Sequence, residues 1–353
     1  MALRIFEGVF KLGLFANLIC WIVYLGLKIL NNPMGDYTSG MGIDTLIVLV
    51  VIVVLIIDAF LLVPYLIIRR KRKKKGLPSP FDRFSKWVGK HKVLFIIGIA
   101  VAVIILFYVV VCSIQSKLLF YPNDYLKPRA LTIEGVEAVS LDDGRFSGLI
   151  KKTGSDRLIV FFYGNAQSSG SAMCSFHDEI MDETYSDFDI LIMDYPGYGE
   201  STGEPSGAGM YELADAVGKY VAGLDYREKT AAGYSVGTGA AVYAAAGYDW
   251  DKLILFAPYD SMLHVFNTFF PAFEGPMKGL MTNQLPSEKY APDVTEDVLI
   301  ICSEADTVVR SKLSEKLRDC FTANVEFHKL KDIPHSDIFC VEEVCKIVRE
   351  FLK

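Results

Sequence analysis

Gly233-Tyr234-Ser235-Val236-Gly237 is the stretch that decides the fold of this chain. It matches the Gly-x-Ser-x-Gly pattern, in which a serine occupies a sharp turn between a strand and a helix. Glycine is needed two residues before and two residues after the serine, because side chains there would collide in the turn. Small residues follow at 239–241, so the helix after the serine is expected to pack closely on a sheet. The pattern predicts an α/β fold with Ser235 as a nucleophile.

Two loops downstream supply the partners that a nucleophilic serine needs. Residues 297–302 are typical of a buried strand, and the loop after them carries Asp306. Residues 324–330 alternate as a strand does, and the next turn carries His335. A neutral imidazole can take the serine proton, while a carboxylate fixes the imidazole tautomer and stabilises the cation that forms. The sequence therefore predicts a triad of Ser235, His335 and Asp306.

The other histidines and one other carboxylate compete for these roles. Asp260 follows another predicted strand, residues 252–256, and is the alternative acid. Structural or solvated roles are expected for the remaining four histidines, which are His91, His177, His264 and His328.

An oxyanion hole needs a second backbone N–H besides the one that follows the nucleophile, usually from the loop after an early central strand. Residues 157–162 are almost wholly apolar and lead directly into Tyr163-Gly164-Asn165-Ala166. We therefore predict that the amides of Asn165 and Val236 bind the oxyanion. The alternative is an ordinary Gly-Asn turn between a strand and a helix.

The loop 163–166 resembles the His-Gly-Asn-Ala loop of esterase, monoglyceride-lipase and serine-aminopeptidase-like α/β hydrolases, with Tyr163 where histidine usually stands. In these families the histidine organises the loop and is not a triad member. Residues 194–205 are similar to the Asp-Tyr-Arg-Gly-x-Gly-x-Ser-x-Gly-x-Pro loop of the same families, with Pro196 in place of the arginine. Five such segments occur in the expected order between about residues 117 and 353.

The resemblance extends to the acid and to the overall architecture. The loop 303–309 resembles the Gly-x-x-Asp-x-x-Val pattern of these families, which favours Asp306 over Asp260. The resemblance implies that residues 113–353 form an α/β-hydrolase domain, with a mostly parallel sheet and helices on both faces. It also implies a serine hydrolase that cleaves a carboxylic ester through an acyl-enzyme. A thioesterase, a serine peptidase or a non-catalytic membrane receptor or scaffold of the same fold are the alternatives.

A small cap is predicted over about residues 261–294, because this segment is longer than a simple crossover needs. Its apolar residues suggest a pocket for the acyl chain of a small-molecule or lipid substrate, with Met262, Phe266 and Phe270 as binding residues. Packing of the cap onto the domain is the alternative. No metal or organic cofactor is required for the predicted chemistry, and the seven cysteines match no zinc motif.

The N-terminal third, residues 1–112, is predicted to be a three-helix transmembrane region. Of the 353 residues, 52% are hydrophobic, and the apolar excess lies before residue 113. Three segments have the length that a bilayer core requires, about 12–30, 45–68 and 93–111. A buried core helix is the alternative for the first segment, which is less uniformly apolar.

Orientation follows from the basic loop at 69–92, which lies between the second and third predicted spans and should be cytoplasmic. We therefore predict an integral protein of the plasma membrane with its catalytic domain outside the cytoplasm and the lipid bilayer as a partner. A nucleic-acid partner is not expected, because the basic run lies between hydrophobic segments and the predicted hydrolase domain is acidic overall. The oligomeric state is left open.

Overall fold

The computed structural model describes residues 87–123, 126–177, 179–269 and 271–353. Within them, Val109–Lys353 belong to one compact unit that contains an eight-stranded sheet. The strands are β1 (Val136–Leu141), β2 (Phe146–Lys151), β3 (Arg157–Phe162), β4 (Asp189–Met193), β5 (Glu228–Tyr234), β6 (Lys252–Phe256), β7 (Asp297–Ser303) and β8 (Val325–Leu330).

Ten α-helices are described, with three short 3-10 helices at Gly275–Leu280, Ala291–Asp293 and His335–Asp337. The α-helices in the described ranges are α1 (Lys92–Leu119), α2 (Lys127–Ala130), α3 (Ser169–Phe176), α4 (Glu179–Thr184), α5 (Gly207–Ala222), α6 (Gly237–Gly247), α7 (Met262–Phe269), α8 (Ser287–Tyr290), α9 (Ser311–Arg318) and α10 (Glu342–Phe351).

The sheet has the strand order β1-β2-β4-β3-β5-β6-β7-β8. Strand β2 runs antiparallel to both of its neighbours, and the pairs from β4 to β8 are all parallel. Consecutive residues of β3, β4 and β7 are buried, although alternate side chains point to opposite faces, so both faces of these strands are covered. The predicted α/β architecture with a mostly parallel sheet is confirmed.

Strand β5 has a sequence of low β-propensity, because Glu228-Lys229-Thr230-Ala231-Ala232 contains no large apolar residue. It lies nevertheless at the centre of the sheet, between β3 and β6. The small side chains let α6 approach closely. A Cβ atom on Gly233 would lie 2.8 Å from the Cα of Thr238, and one on Gly237 would lie 2.5 Å from the carbonyl oxygen of Tyr163. Burial of the small residues therefore outweighs the weak local preference for a strand.

Helix α1 has 28 residues and is long and apolar enough to cross a membrane, by length and composition. Large apolar side chains along it are exposed to solvent, including Val93, Leu94 and Ile104. The helix covers the third predicted span, 93–111. The first two predicted spans and the basic loop up to residue 86 lie outside the described residues, so the three-helix region stays a prediction.

The segment predicted as a cap lies between β6 and β7 and contains α7, α8 and two of the 3-10 helices. Met262 and Leu263 of α7 are buried, and the ring of Phe266 packs 5.3 Å from that of Phe273. Phe273 itself is fully buried. Much of the apolar surface of this segment is therefore used in packing.

The close approach of α6 to the sheet predicts that Gly237→Ala is destabilising. The added methyl would collide with the Phe162 and Tyr163 carbonyl oxygens, so we expect a loss of about 1–3 kcal/mol in the free energy of unfolding. The measurement is chemical denaturation of the detergent-solubilised full chain. Gly247→Ala is the matched control, because Gly247 ends the same helix with open space around it. Equal stability of the two variants would contradict the packing described above.

Candidate active site

The three predicted triad residues lie at the same edge of the sheet. Ser235 follows β5, Asp306 follows β7, and His335 begins a 3-10 turn after β8. These strands are parallel, so their carboxyl ends meet at one edge, where loops bring distant residues together.

A continuous chain of hydrogen bonds joins the three side chains. His335 Nε2 lies 2.9 Å from Ser235 Oγ, and His335 Nδ1 lies 2.6 Å from Asp306 Oδ2. An ionised carboxylate only accepts hydrogen bonds, so Nδ1 carries the proton and Nε2 presents its lone pair to the serine hydroxyl. This tautomer is the one in which the imidazole can act as a base toward Ser235.

The acid is held in place by hydrogen bonds other than the one to the histidine. The Asp306 side chain is completely buried, and its second oxygen, Oδ1, accepts hydrogen bonds from the amides of Val308 and Val309, each 2.8 Å long. The His335 side chain keeps 15% of its surface exposed. The Tyr234 hydroxyl also donates to the His335 carbonyl oxygen at 2.9 Å. The Asp306 carboxylate and the main chain of His335 are therefore both held by groups outside the triad.

Ser235 adopts a φ of 52°, a left-handed conformation that non-glycine residues rarely occupy. Its amide donates to the Phe256 carbonyl oxygen at 2.9 Å, which ties the turn to β6. Such strain persists only where the surrounding structure holds it, and it clusters at functional sites. The turn aims the hydroxyl at His335 from the N-terminal end of α6.

The predicted oxyanion donors, Asn165 and Val236, lie in the loop after β3 and at the N-cap of α6. Within the described part of the chain, neither backbone amide donates a hydrogen bond to a protein acceptor. The side chain of Asn165, in contrast, bonds neighbouring residues through both its oxygen and its nitrogen. Both amides are thus unengaged, as oxyanion donors must be.

Tyr163, which replaces the family's usual histidine, organises the loop through a buried carboxylate. Its hydroxyl lies 3.1 Å from Asp194 Oδ1, and the same carboxylate accepts from the amide and the hydroxyl of Ser169 at 2.6 and 2.8 Å. Burial raises the pKa of Asp194, and these hydrogen bonds oppose the rise. The sequence did not predict the contact of Asp194 with Tyr163 and Ser169. This contact depends on the approach of β4 to β3.

The alternative acid, Asp260, is directed elsewhere. Its Oδ2 lies 2.8 Å from Nδ1 of His264 and 3.7 Å from the Lys316 ammonium. Glu288 brings a third ligand atom to Asp260 and His264, all within 4.8 Å of one another, but Lys316 already provides a cation for the carboxylate. His328 pairs with Glu326 at 2.7 Å. Among the described histidines, His335 alone contacts Ser235.

The predicted substrate-binding residues are only partly described. Met262 is buried and Phe266 packs on Phe273, whereas Phe270 lies outside the described residues. A cavity of about 300 Å³ lies at the opposite end of α6 from Ser235, with Tyr243, Tyr248 and Tyr290 in its wall. An acyl chain attached to Ser235 would not enter this cavity, because α6 separates the two places.

Comparison with known proteins agrees with the geometry. The protein-family model described as the alpha/beta hydrolase fold matches residues 157–255. Alpha/beta hydrolase domain-containing protein 17C of Xenopus tropicalis is 28% identical over 56% of this chain and 62% of its own length. An uncharacterised protein of Mycobacterium tuberculosis is 28% identical over 42% of this chain and 53% of its length. The chain thus spans about half to three fifths of the curated relatives it matches.

Solved structures show the same architecture. An esterase of Pyrococcus furiosus superposes with a TM-score of 0.51 and 17% identity, covering 66% of this chain and 97% of that one. At this identity the likeness establishes the fold alone. Together with the sequence matches, it places the chain in the α/β-hydrolase superfamily.

Proposed function

We propose that this protein is a membrane-anchored serine hydrolase that cleaves a carboxylic ester through an acyl-enzyme. The observation that carries the proposal is the hydrogen-bond chain from Ser235 through His335 to the buried Asp306. A nucleophile within reach of a base, and a base oriented by a third group, is the arrangement that nucleophilic catalysis needs.

In the proposed mechanism the Ser235 oxygen attacks the acyl carbonyl while His335 Nε2 takes the hydroxyl proton. The amides of Asn165 and Val236 stabilise the negative oxygen of the tetrahedral intermediate. His335 then protonates the leaving alkoxide, and the acyl group stays on Ser235. Water, deprotonated by the same imidazole, releases the carboxylic acid and restores the serine. Asp306 stabilises the imidazolium in both steps.

Thioesters and peptides are alternative substrates, because the same triad attacks all three acyl groups and the pocket decides between them. A non-catalytic membrane receptor or scaffold is the alternative from another class of function. The strained turn at Ser235 argues against it, since a turn that costs about 1–3 kcal/mol is hard to explain without a use.

Membrane anchoring is supported by α1, whose length and composition suit a bilayer span. The exposed apolar side chains of this helix would be covered by lipid. We further propose three spans in the plasma membrane, on the basis of the apolar segments 12–30, 45–68 and 93–111. The basic residues carry the proposal of a cytoplasmic loop at 69–92 and an extracytoplasmic catalytic domain.

We predict that Ser235→Ala abolishes labelling of the full chain by a fluorophosphonate probe, because the alanine has no oxygen to bond to phosphorus. The measurement is in-gel fluorescence of the labelled protein. Ser336→Ala is the matched control, because this serine neighbours His335 but its hydroxyl bonds Asp337. Undiminished labelling of the Ser235 variant would eliminate this nucleophile.

The same assay separates the two candidate acids. Asp306→Asn should slow labelling by on the order of 10³–10⁴-fold, because an amide at this position favours the wrong imidazole tautomer. Asp260→Asn should keep the rate within a few-fold, since its partner is His264. The reverse pattern would show that Asp260 is the acid.

For the substrate, we predict that kcat/KM for p-nitrophenyl esters rises with acyl length, because α7 keeps an apolar ring exposed at Phe269. A matched series of thioesters, measured with the same protein, distinguishes the ester from the thioester assignment. Equal kcat/KM values from two to twelve carbons would remove the acyl-chain proposal.

Topology is tested in intact cells that express the chain with a tag at each end. Protease added outside should digest the catalytic domain and leave the basic loop intact, as the proposed orientation requires. Cleavage within residues 69–92, with the catalytic domain spared, would invert the orientation.

A further inference from the structure

The C-terminal end of α1 is joined to the loop that carries the proposed oxyanion donor. The last carbonyl groups of a helix have no partner within the helix. At the end of α1, the side-chain amide of Asn165 donates to the Leu119 carbonyl oxygen at 2.7 Å. This bond links residues that are 46 positions apart along the chain.

The chain leaving α1 is bound by the same side chain. The Tyr121 amide lies 2.9 Å from Asn165 Oδ1 and 3.0 Å from the Tyr198 hydroxyl oxygen. The Tyr198 hydroxyl in turn donates to Asn165 Oδ1 at 2.8 Å. Tyr198 is 1% exposed and burial raises its pKa, so its hydroxyl keeps the proton that it donates.

A second pair of bonds lies two residues further on. Asn123 donates from its side chain to the Ala166 carbonyl oxygen at 2.8 Å, and its own carbonyl accepts from the Gly199 amide at 2.9 Å. Ala166 has a φ of 57°, a conformation that needs such support. The segment after α1 is thus bonded to both the 163–166 loop and the 194–205 loop.

Both polar atoms of the Asn165 side chain are bonded to the protein. Its oxygen receives three donors, from Tyr121, Tyr198 and its neighbour Ala166 at 3.0 Å, and its nitrogen donates to Leu119. Its backbone amide, in contrast, is the proposed oxyanion donor. These bonds suit the side chain to holding the main chain of the loop in place.

The end of α1 also bonds the segment before α8. Gln115 Oε1 accepts from the Thr282 amide at 2.8 Å, and the Asn283 side chain donates to Ser116 Oγ at 3.0 Å. Gln115 is 3% exposed, so these bonds are shielded from water. The last two turns of α1 are consequently part of the catalytic unit.

We propose that the side chains of Asn165 and Tyr198 are positioning groups that fasten the oxyanion loop to the end of α1. The apolar helix then serves as a structural support for the transition state as well as an anchor. This inference rests on the proposed function, because it assigns a task to the Asn165 amide in that mechanism.

The experiment measures p-nitrophenyl butyrate hydrolysis by the full chain in detergent. Asn165→Ala should lower kcat about 10- to 100-fold with little change in KM, because outright loss of one oxyanion donor costs 10²–10³-fold. Tyr198→Phe, which keeps the buried ring, should lower kcat by about 5-fold. The inhibition constant of a trifluoromethyl ketone, which forms the oxyanion on Ser235, should rise by the same factors, while that of butyrate stays constant.

Tyr226→Phe is the matched control. It deletes another hydrogen-bonded phenol, whose partner Asp189 lies at the start of β4, away from the catalytic edge. This variant should keep the wild-type kcat. Asn165 and Tyr198 act as one unit in this proposal, so kcat of the double variant should be no more than about 2-fold below kcat of Asn165→Ala. If the two side chains acted independently, their separate effects on kcat would multiply.

The outcomes distinguish failure of the proposed function from failure of the positioning role alone. Wild-type protein that reacts with neither ester nor fluorophosphonate would remove the proposed function and this inference with it. Active wild type with unchanged kcat in both variants would overturn the positioning role alone. Parallel losses in trifluoromethyl ketone and butyrate binding would also overturn it, because general loosening of the site affects both ligands.

Discussion

The structure depends on the close contact between α6 and the centre of the sheet. Gly233 and Gly237 allow the helix to meet β5 and β3 without side chains between them. This contact holds Ser235 at a φ of 52° and directs its hydroxyl away from the core. The low β-propensity of β5 and the run of alanines in α6 follow from the same requirement, since larger side chains would separate the two elements.

The acid and base are fixed by a different kind of interaction. Asp306 is withdrawn from water, which would be costly for a carboxylate without donors. Two backbone amides and His335 supply those donors. The geometry of the imidazole is therefore set before any substrate binds, which reduces the reorganisation that the reaction needs.

The loop opposite the serine has its own support. Tyr163 bonds a buried Asp194, and Asn165 bonds the end of α1. A phenol replaces the imidazole that related families use at 163, and it reaches the carboxylate of the neighbouring strand. Side chains of the loop thus hold its shape, and the backbone amide of Asn165 is the proposed oxyanion donor.

The sequence by itself determined the order of the candidate catalytic segments, the strand-to-helix turn at Ser235, and two of the three candidate triad residues, Ser235 and His335. These features are local, because glycine spacing and apolar strands report directly on backbone sterics and burial. The sequence also contained the apolar segment that forms α1.

Only the tertiary structure decided which acid meets His335, since Asp260 and Asp306 both follow predicted strands. It also decided that Asn165 binds the end of α1, and which apolar residues of the 261–294 segment are buried, as Phe273 is, or exposed, as Phe269 is. These outcomes depend on contacts between residues far apart in the chain. Their distances are set by strand order and by the registry of packed elements, which no local pattern encodes.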